Sequence, residues 1–241
     1  MTNPTASVLI IGNEILSGRT LDLNTQEIAI QLDKIGVTLL ESRTIPDNKT
    51  AIIDNVKELS EKYDYVLTTG GIGPTHDDIT AQSIADAFGV KYERNQEIYD
   101  ILKENHATRG QVLNSAREKM AYVPESSILL HNEATNIPGF AIKNVFVMAG
   151  IPYVMKSMLK SVLPLLKRGK IIKSQSLEIM ISESEIADKF EEIQNKYIDV
   201  EMGSYPFTKH KIYGTVLVLR SSNYNSLKRS FDELKNLFKD N

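Results

Sequence analysis

Thr68-Thr69-Gly70-Gly71-Ile72-Gly73-Pro74-Thr75-His76-Asp77-Asp78-Ile79-Thr80 follows a short apolar run, Tyr65-Val66-Leu67. Glycines let backbone N–H groups come close to a ligand, and the start of a helix favours negative charge. Such a loop suits a phosphate or a pyrophosphate. Asp77 and Asp78 would repel that ligand unless a cation lay between them. The stretch therefore reads as a strand, a phosphate loop and a helix beginning at about Asp78, with a metal ion beside the phosphates.

Upstream of the loop, Val8-Leu9-Ile10-Ile11 is a continuous apolar run, as expected of a parallel strand covered on both faces. Asn24 is a good helix cap, with Glu27 three residues on and Ile28, Leu32 and Ile35 at helical spacing, and Gly36 ends that helix. Val37 to Ile45 reads as a second strand. Asn48 caps a helix carrying Ile52, Val56, Leu59 and Tyr63 on one face.

Downstream, the helix after the loop runs to Phe88, and Gln96 to Met120 is mostly helical with a break near Gly110. Val145 to Met148 reads as another buried strand. Ala149-Gly150-Ile151-Pro152 then opens a helix to Leu166, with Pro152 at its favoured first position. This second strand–glycine–helix junction is a second candidate anion pocket.

The alternation predicts an α/β fold with a parallel-rich sheet sandwiched by helices. Ligands of such sheets bind beyond the carboxyl ends of the strands, where the loops after Ile11, Ile45 and Thr69 gather. The pattern changes around Lys167-Arg168-Gly169-Lys170. Residues 1–170 are read as the first domain and 171–241 as a small α+β domain of order βαββα, with its helices on one sheet face. Its strands fall at 176–182, 200–207 and 214–220, and its helices at 184–197 and 225–239.

The chain has 241 residues, 41% of them apolar and 24% charged, enough for a substantial core without staples. The net charge of −3 gives no basic excess to argue for nucleic acid. There is no cysteine, which excludes disulfides, thiolate catalysis and Cys-ligated zinc. Four histidines, His76, His106, His131 and His210, stand far apart, so any metal should be hard and oxygen-ligated. No apolar run reaches membrane-spanning length, and Met1 to Ser7 lacks the basic residues of a signal peptide, so a cytoplasmic protein is expected. Lys209, His210 and Lys211 read as a solvated hairpin tip.

General motifs stop short of a function. Gly12-Asn13-Glu14-Ile15-Leu16-Ser17-Gly18-Arg19 has the wrong glycine spacing for a P-loop and lacks its Lys-Ser/Thr. No dinucleotide GxGxxG and no serine nucleophile elbow is present. On these grounds alone Asp77 reads as well as a helix cap, Asp47 as a turn residue, Glu14 as a solvated loop charge and His76 as a loop residue.

Thr69 to Thr80 resembles the TGGxGPTxDDxT signature of molybdopterin-binding-like proteins. These include the MoaB/Mog proteins and, more closely, the N-terminal part of competence/damage-inducible CinA and the molybdopterin-binding-like domain of FAD synthase. Ile11 to Gly18, followed by Asp22 and Asn24, is similar to the first CinA motif, in which Asp is commoner at the Asn13 position. Pro46-Asp47-Asn48 matches the third motif. Ala149 to Met155 resembles LPGxPxxM, with Met148-Ala149 in place of Leu-Pro. The resemblance spans most of residues 6–166, and the tail, including Gly203-Ser204-Tyr205-Pro206, is similar to the small second domain of CinA.

The resemblance implies a MogA-like fold and chemistry at a phosphoanhydride. The leading expectation is a metal-dependent hydrolase of a nucleotide pyrophosphate of the ADP-ribose or FAD type. The alternatives are a protein that binds or adenylylates molybdopterin in molybdenum cofactor biosynthesis, and a non-catalytic nucleotide-binding subunit. The amidohydrolase domain of CinA has no counterpart in this sequence, and that activity is not expected.

Asp47, Asp77 and Asp78 are the catalytic candidates, with Asp47 and Asp78 as ligands of Mg, Mn or Co, and potassium as a further ion. Gly70, Gly71, Gly73 and Thr75 would cradle phosphates, with Thr69 beside them. Gly12, Glu14 and Asn24 would reach in from the first loop, and Gly150 and Pro152 from the second junction. The expected partner is a small nucleotide or pterin. Relatives form dimers and trimers, so a homo-oligomer is implied, with no role for nucleic acid or membrane.

Overall fold

The computed structural model describes residues 3–108, 110–209 and 212–238, and divides the chain into two compact units, Met1–Gly169 and Lys170–Asn241. The first unit runs β1 (Thr5–Ile11), α1 (Asn13–Leu16), α2 (Asn24–Lys34), β2 (Thr38–Ile45), α3 (Lys49–Lys62), β3 (Tyr65–Thr69) and α4 (Thr80–Phe88). It continues with β4 (Tyr92–Arg94), α5 (Gln96–Ala107), α6 (Ser115–Glu118), β5 (Tyr122–Pro124), β6 (Ile128–Leu130), β7 (Gly139–Ile142), β8 (Val145–Met148) and α7 (Pro152–Val162).

The main sheet has the order β2-β1-β3-β8-β7-β6. Its first four strands are parallel, and β7 and β6 run antiparallel at one edge. Alternation along β1 decides the two cores. Leu9 and Ile11 pack with Ile52, Val56 and Leu59 of α3 and Ile84 of α4. Val8 and Ile10 face the other way, onto Ile28 and Leu32 of α2 and Met155 and Leu159 of α7. The sheet is thus covered on both faces, which is why β1 from Ala6 and β3 from Val66 are buried at every position.

Asn48 caps α3 by accepting from the Ala51 N–H at 3.1 Å, as the sequence predicts. Two expected starts are shifted. The N-cap position of α2 is Leu23, and Asp22 Oδ1 takes the first N–H groups instead, from Asn24 at 2.9 Å and Thr25 at 3.1 Å. Helix α4 begins at Thr80 with Ile79 in the cap position, so Asp77 and Asp78 precede the helix and neither caps it. The segment 122–142, left unassigned by sequence patterning, holds β5, β6 and β7. Strands of three or four residues are too short to show a period of two.

The second unit runs β9 (Lys173–Ile179), α8 (Glu183–Lys196), β10 (Glu201–Lys209), β11 (Ile212–Ser221) and α9 (Tyr224–Leu237). Its antiparallel sheet has the order β10-β11-β9, and both helices contribute to one core around Ile179, Leu217 and Leu219. His210 and Lys211 of the expected basic hairpin tip, and Lys239 of the last helix, lie outside the described residues. Among the described residues, no helix is long and apolar enough to cross a membrane.

At the β2 edge, Glu41 receives hydrogen bonds from Lys62 at 2.9 Å and from the Tyr63 hydroxyl at 2.5 Å, and contacts the Arg43 guanidinium. Lys62, then Tyr63, then Arg43 hold its carboxyl down at about 2, against an ordinary 4.5. A carboxylate lowered in the fold stabilises it fully above its unfolded pKa, and the contribution is lost as pH falls through the window down to the folded pKa. Glu41→Gln should therefore lower Tm at neutral pH, with the gap to wild type closing as pH falls from 4.5 toward 2. Thermal melts across that range check this.

Candidate functional site

The carboxyl edge of the sheet opens into a cavity of about 530 Å³. Its lining follows the strand order: Asp47 just past β2, Ile11 and Glu14 at the end of β1, Gly70 to Asp78 after β3, Ala149 to Pro152 after β8, and Phe140 in β7. Glu14, Asp47, Asp77 and Asp78, drawn from three separate turns, thus share one space. The lining also includes a largely apolar set from outside these turns: Tyr92, Met120, Tyr122, Val123, Ile137, Phe140 and Met158. The rings of Tyr92 and Tyr122, on the β4–β5 pair, lie 5.6 Å apart.

The glycine loop is built by close approach of backbone. A Cβ on Gly70 would stand 2.0 Å from the Ile11 carbonyl oxygen, and φ there is +105°. At Gly71 φ is +67° and a Cβ would stand 2.1 Å from Thr80 Oγ1. Gly70 N–H donates to Met148 O at 3.1 Å, and Thr80 N–H returns to Gly71 O at 3.1 Å. These bonds correct the expected cradle, because the N–H of Gly70 is used within the fold, as is that of Gly12, which donates to Ile45 O. Thr75 N–H is used too, donating to Asp78 Oδ2 at 2.8 Å. The N–H groups of Gly71, Ile72 and Gly73 carry no hydrogen bond among the described residues. They are the donors the loop offers to an anion.

Helix caps sharpen the picture. Asn48 and Asn95 cap α3 and α5 with their side chains, whereas α4 and α7 start at Ile79 and Ile151 with no side-chain cap. Ala81 of α4 and Pro152 of α7 both line the cavity. Two uncapped helix N-termini therefore meet where negative charge is favoured.

The acidic residues are held in different ways. Asp78 Oδ2 also accepts the Thr75 hydroxyl at 2.5 Å, which closes the turn before α4. Asp47 Oδ2 accepts the Asn13 N–H at 2.8 Å and so fixes the first loop. Each leaves one carboxylate oxygen without a hydrogen bond among the described residues. The Thr75 side chain, and next its own backbone amide, draw the Asp77 carboxyl below the usual range, so it is ionised at neutral pH. Asn24 does not reach the cavity as expected: its buried side chain donates to Gly150 O at 2.8 Å and to Thr69 Oγ1 at 3.4 Å, and ties α2 to both glycine junctions. Thr69 is likewise buried beneath the loop. His76 is an exposed loop residue.

A hard cation fits this set of oxygens by charge, since four carboxylates would otherwise oppose an incoming phosphate. Among the described residues, however, no three acidic or histidine side chains gather closely enough to hold an ion alone. The cation that fits is one shared with ligand phosphates, as magnesium commonly is.

Sequence reasoning missed Lys119, Thr20, Thr135 and the whole apolar side of the cavity. The signals available were Asn136-Ile137-Pro138-Gly139, a turn-forming run whose Asn136 has φ +59°, and the aromatics flanking it.

The molybdopterin-binding family model, described as "Probable molybdopterin binding domain", matches residues 7–168, and that for the "FAD synthase, middle domain" matches residues 172–241. The protein TK1472 of Thermococcus kodakarensis is 35% identical over 225 residues, 88% of this chain and 89% of its own. A CinA-like protein of Chloroherpeton thalassium is 35% identical over 78% of this chain, which spans 48% of that longer protein. The crystal structure of the protein CinA from Thermoplasma acidophilum is similar with a TM-score of 0.61 and 30% identity, over 66% of this chain and 96% of that one. The chain thus belongs to the molybdopterin-binding domain family and has CinA-like relatives.

Gly70→Ala tests the loop geometry. Forcing a side chain into a left-handed backbone costs about 1–2 kcal/mol before the overlap with Ile11 is counted. Urea unfolding should show a loss larger than that, and Gly18→Ala, where a Cβ meets nothing, should lose less.

Proposed function

We propose that this chain binds a nucleotide diphosphate across the carboxyl edge of its sheet and hydrolyses the phosphoanhydride, with ADP-ribose and FAD as the substrate types. One observation carries the reading: a single cavity joins unbonded N–H donors and carboxylates on one side to an aromatic, apolar wall on the other. Five strands of the sheet, β2 to β7 in sheet order, bring lining residues to the cavity, from β1 and β7 themselves and from the turns after β2, β3 and β8. Four strand spacings of about 4.8 Å make roughly 19 Å, room for a diphosphate with a group on each side. The β8–β7 side suits a planar ring, and the β2–β1 side, with Thr20 and Glu14, suits a sugar.

In this reading the N–H groups of Gly71, Ile72 and Gly73 and the starts of α4 and α7 bind phosphate oxygens. Asp47 and Asp78 would hold a divalent ion through their remaining oxygens, and the ion would supply countercharge to the phosphates. Asp77, ionised at neutral pH, takes a proton from a water that adds to one phosphorus. The bond from that phosphorus to the bridging oxygen breaks, and the oxygen leaves on the other phosphate. Two phosphate monoesters result, AMP and ribose 5-phosphate in the case of ADP-ribose. A second reading, favoured by the family match over residues 7–168, is that the apolar wall receives a pterin and the site binds molybdopterin.

Purified protein with cobalt or magnesium should release AMP from ADP-ribose or FAD. Asp47→Asn keeps an acceptor for the Asn13 N–H while removing the charge, and should lower turnover by about 100-fold or more with an unchanged melt. Asp78→Ala should abolish turnover. No AMP from ADP-ribose, FAD or NAD with any divalent ion defeats the hydrolase reading; co-purifying pterin fluorescence would favour the second.

A further inference from the structure

Among the described residues, Lys119 is the one Lys or Arg lining the cavity, against Glu14, Asp47, Asp77 and Asp78. It reaches the cavity from a segment far along the chain, and that segment is firmly built. The Asn114 side chain accepts the Arg117 N–H at 3.0 Å and caps the turn of α6. His106, buried at the end of α5, bonds through Nδ1 to Leu102 O at 2.7 Å, which makes Nδ1 the protonated nitrogen. Its Nε2 is then an acceptor, and the Arg117 guanidinium contacts it. Two residues on, Lys119 Nζ donates to the Thr75 carbonyl at 2.9 Å.

The Thr75 carbonyl is an unusual partner for an ammonium beside four carboxylates. No carboxylate lies within 4.0 Å of Lys119 Nζ among the described residues. An ammonium has three donors and one is used, so two remain to face the cavity. Thr75 is also the residue whose N–H and hydroxyl hold Asp78. Lys119 therefore holds the loop at the residue that fixes Asp78, and its charge also acts on the nearby Asp77 carboxyl without pairing with it directly. Met120, Tyr122 and Val123, next along the same segment, line the apolar wall.

Resting on the nucleotide-diphosphate reading above, we infer that Lys119 is a phosphate-binding residue of the site, and that the 119–123 segment reads a diphosphate and its attached ring together. A phosphate oxygen attracts the ammonium more strongly than a neutral carbonyl does. Lys119 contacts the charged portion of the ligand, and Tyr122 with Val123 contacts the ring, at a spacing fixed by one short stretch of backbone. Inorganic pyrophosphate satisfies only the first half of this recognition and should bind more weakly than ADP-ribose.

Calorimetric titration of the full chain with ADP-ribose and with pyrophosphate, in magnesium at low and at high salt, tests the assignment. Lys119→Met should weaken both ligands by about tenfold, the order expected for losing one charged hydrogen bond. Its salt dependence should be shallower than wild type, and Lys119→Arg should recover most of the affinity. Circular dichroism melts matching wild type keep a folding defect out of the comparison. Lys119→Met binding as tightly as wild type overturns the inference. So does weaker binding with unchanged salt dependence, which marks a purely structural role for the lysine. Wild type that binds neither ligand removes the diphosphate reading and this inference with it; wild type that binds ADP-ribose without releasing AMP defeats only the hydrolysis.

Discussion

The chain leaves β3 through two residues that no side chain could replace. Gly70 lies against the Ile11 carbonyl and Gly71 against Thr80, both with positive φ. Everything that gives the cavity its chemistry follows from that contact. It brings the ends of β1 and β3 together and lets Thr80 begin α4 directly behind the loop, through its N–H to the Gly71 carbonyl. A Cβ at either position would push the loop off the strand ends and separate the donors from the carboxylates.

Around this contact the fold assigns its polar groups to two different tasks. Some are consumed in shaping the site: Asn24 joins α2 to both junctions, one oxygen of Asp47 fixes the first loop, and one oxygen of Asp78 closes the acidic turn. Others carry no hydrogen bond among the described residues: the N–H groups of Gly71, Ile72 and Gly73 and the second oxygens of the same carboxylates, while α4 and α7 start without side-chain caps. Residues that look alike in a motif thus do different work. Gly70 gives space to the Ile11 carbonyl and Gly73 to the Asp78 carboxylate, and Asp22 rather than Asn24 serves the first turn of α2.

How far each element could be read depended on how local its cause is. β1 and β3 were legible because burial on both faces leaves a continuous apolar run, Val8 to Ile11 and Tyr65 to Leu67, and α3 because Asn48 and three buried residues at helical spacing act within one helix. The start of α4 was placed two residues early because an aspartate pair looks like a cap, while the true start is set by the Gly71–Thr80 hydrogen bond. β6 and β7 are too short for a pattern and exist because β8 offers an open edge. The acidic half of the site could be listed from its loops. The apolar half could not, since Tyr92, Tyr122 and Phe140 are ordinary core-like residues until the sheet edge gathers them.

By itself the sequence determined the alternating strands and helices, the glycine loop and the identity of the acidic residues. These follow from the period of apolar residues and from backbone conformations that only glycine adopts easily. Tertiary structure alone decided which N–H groups remain unbonded, which carboxylate oxygens are already engaged, and that Lys119 meets a loop 44 residues away. Those outcomes depend on hydrogen bonds between segments distant in the chain, and a partner that far off leaves no mark on the local pattern of residues.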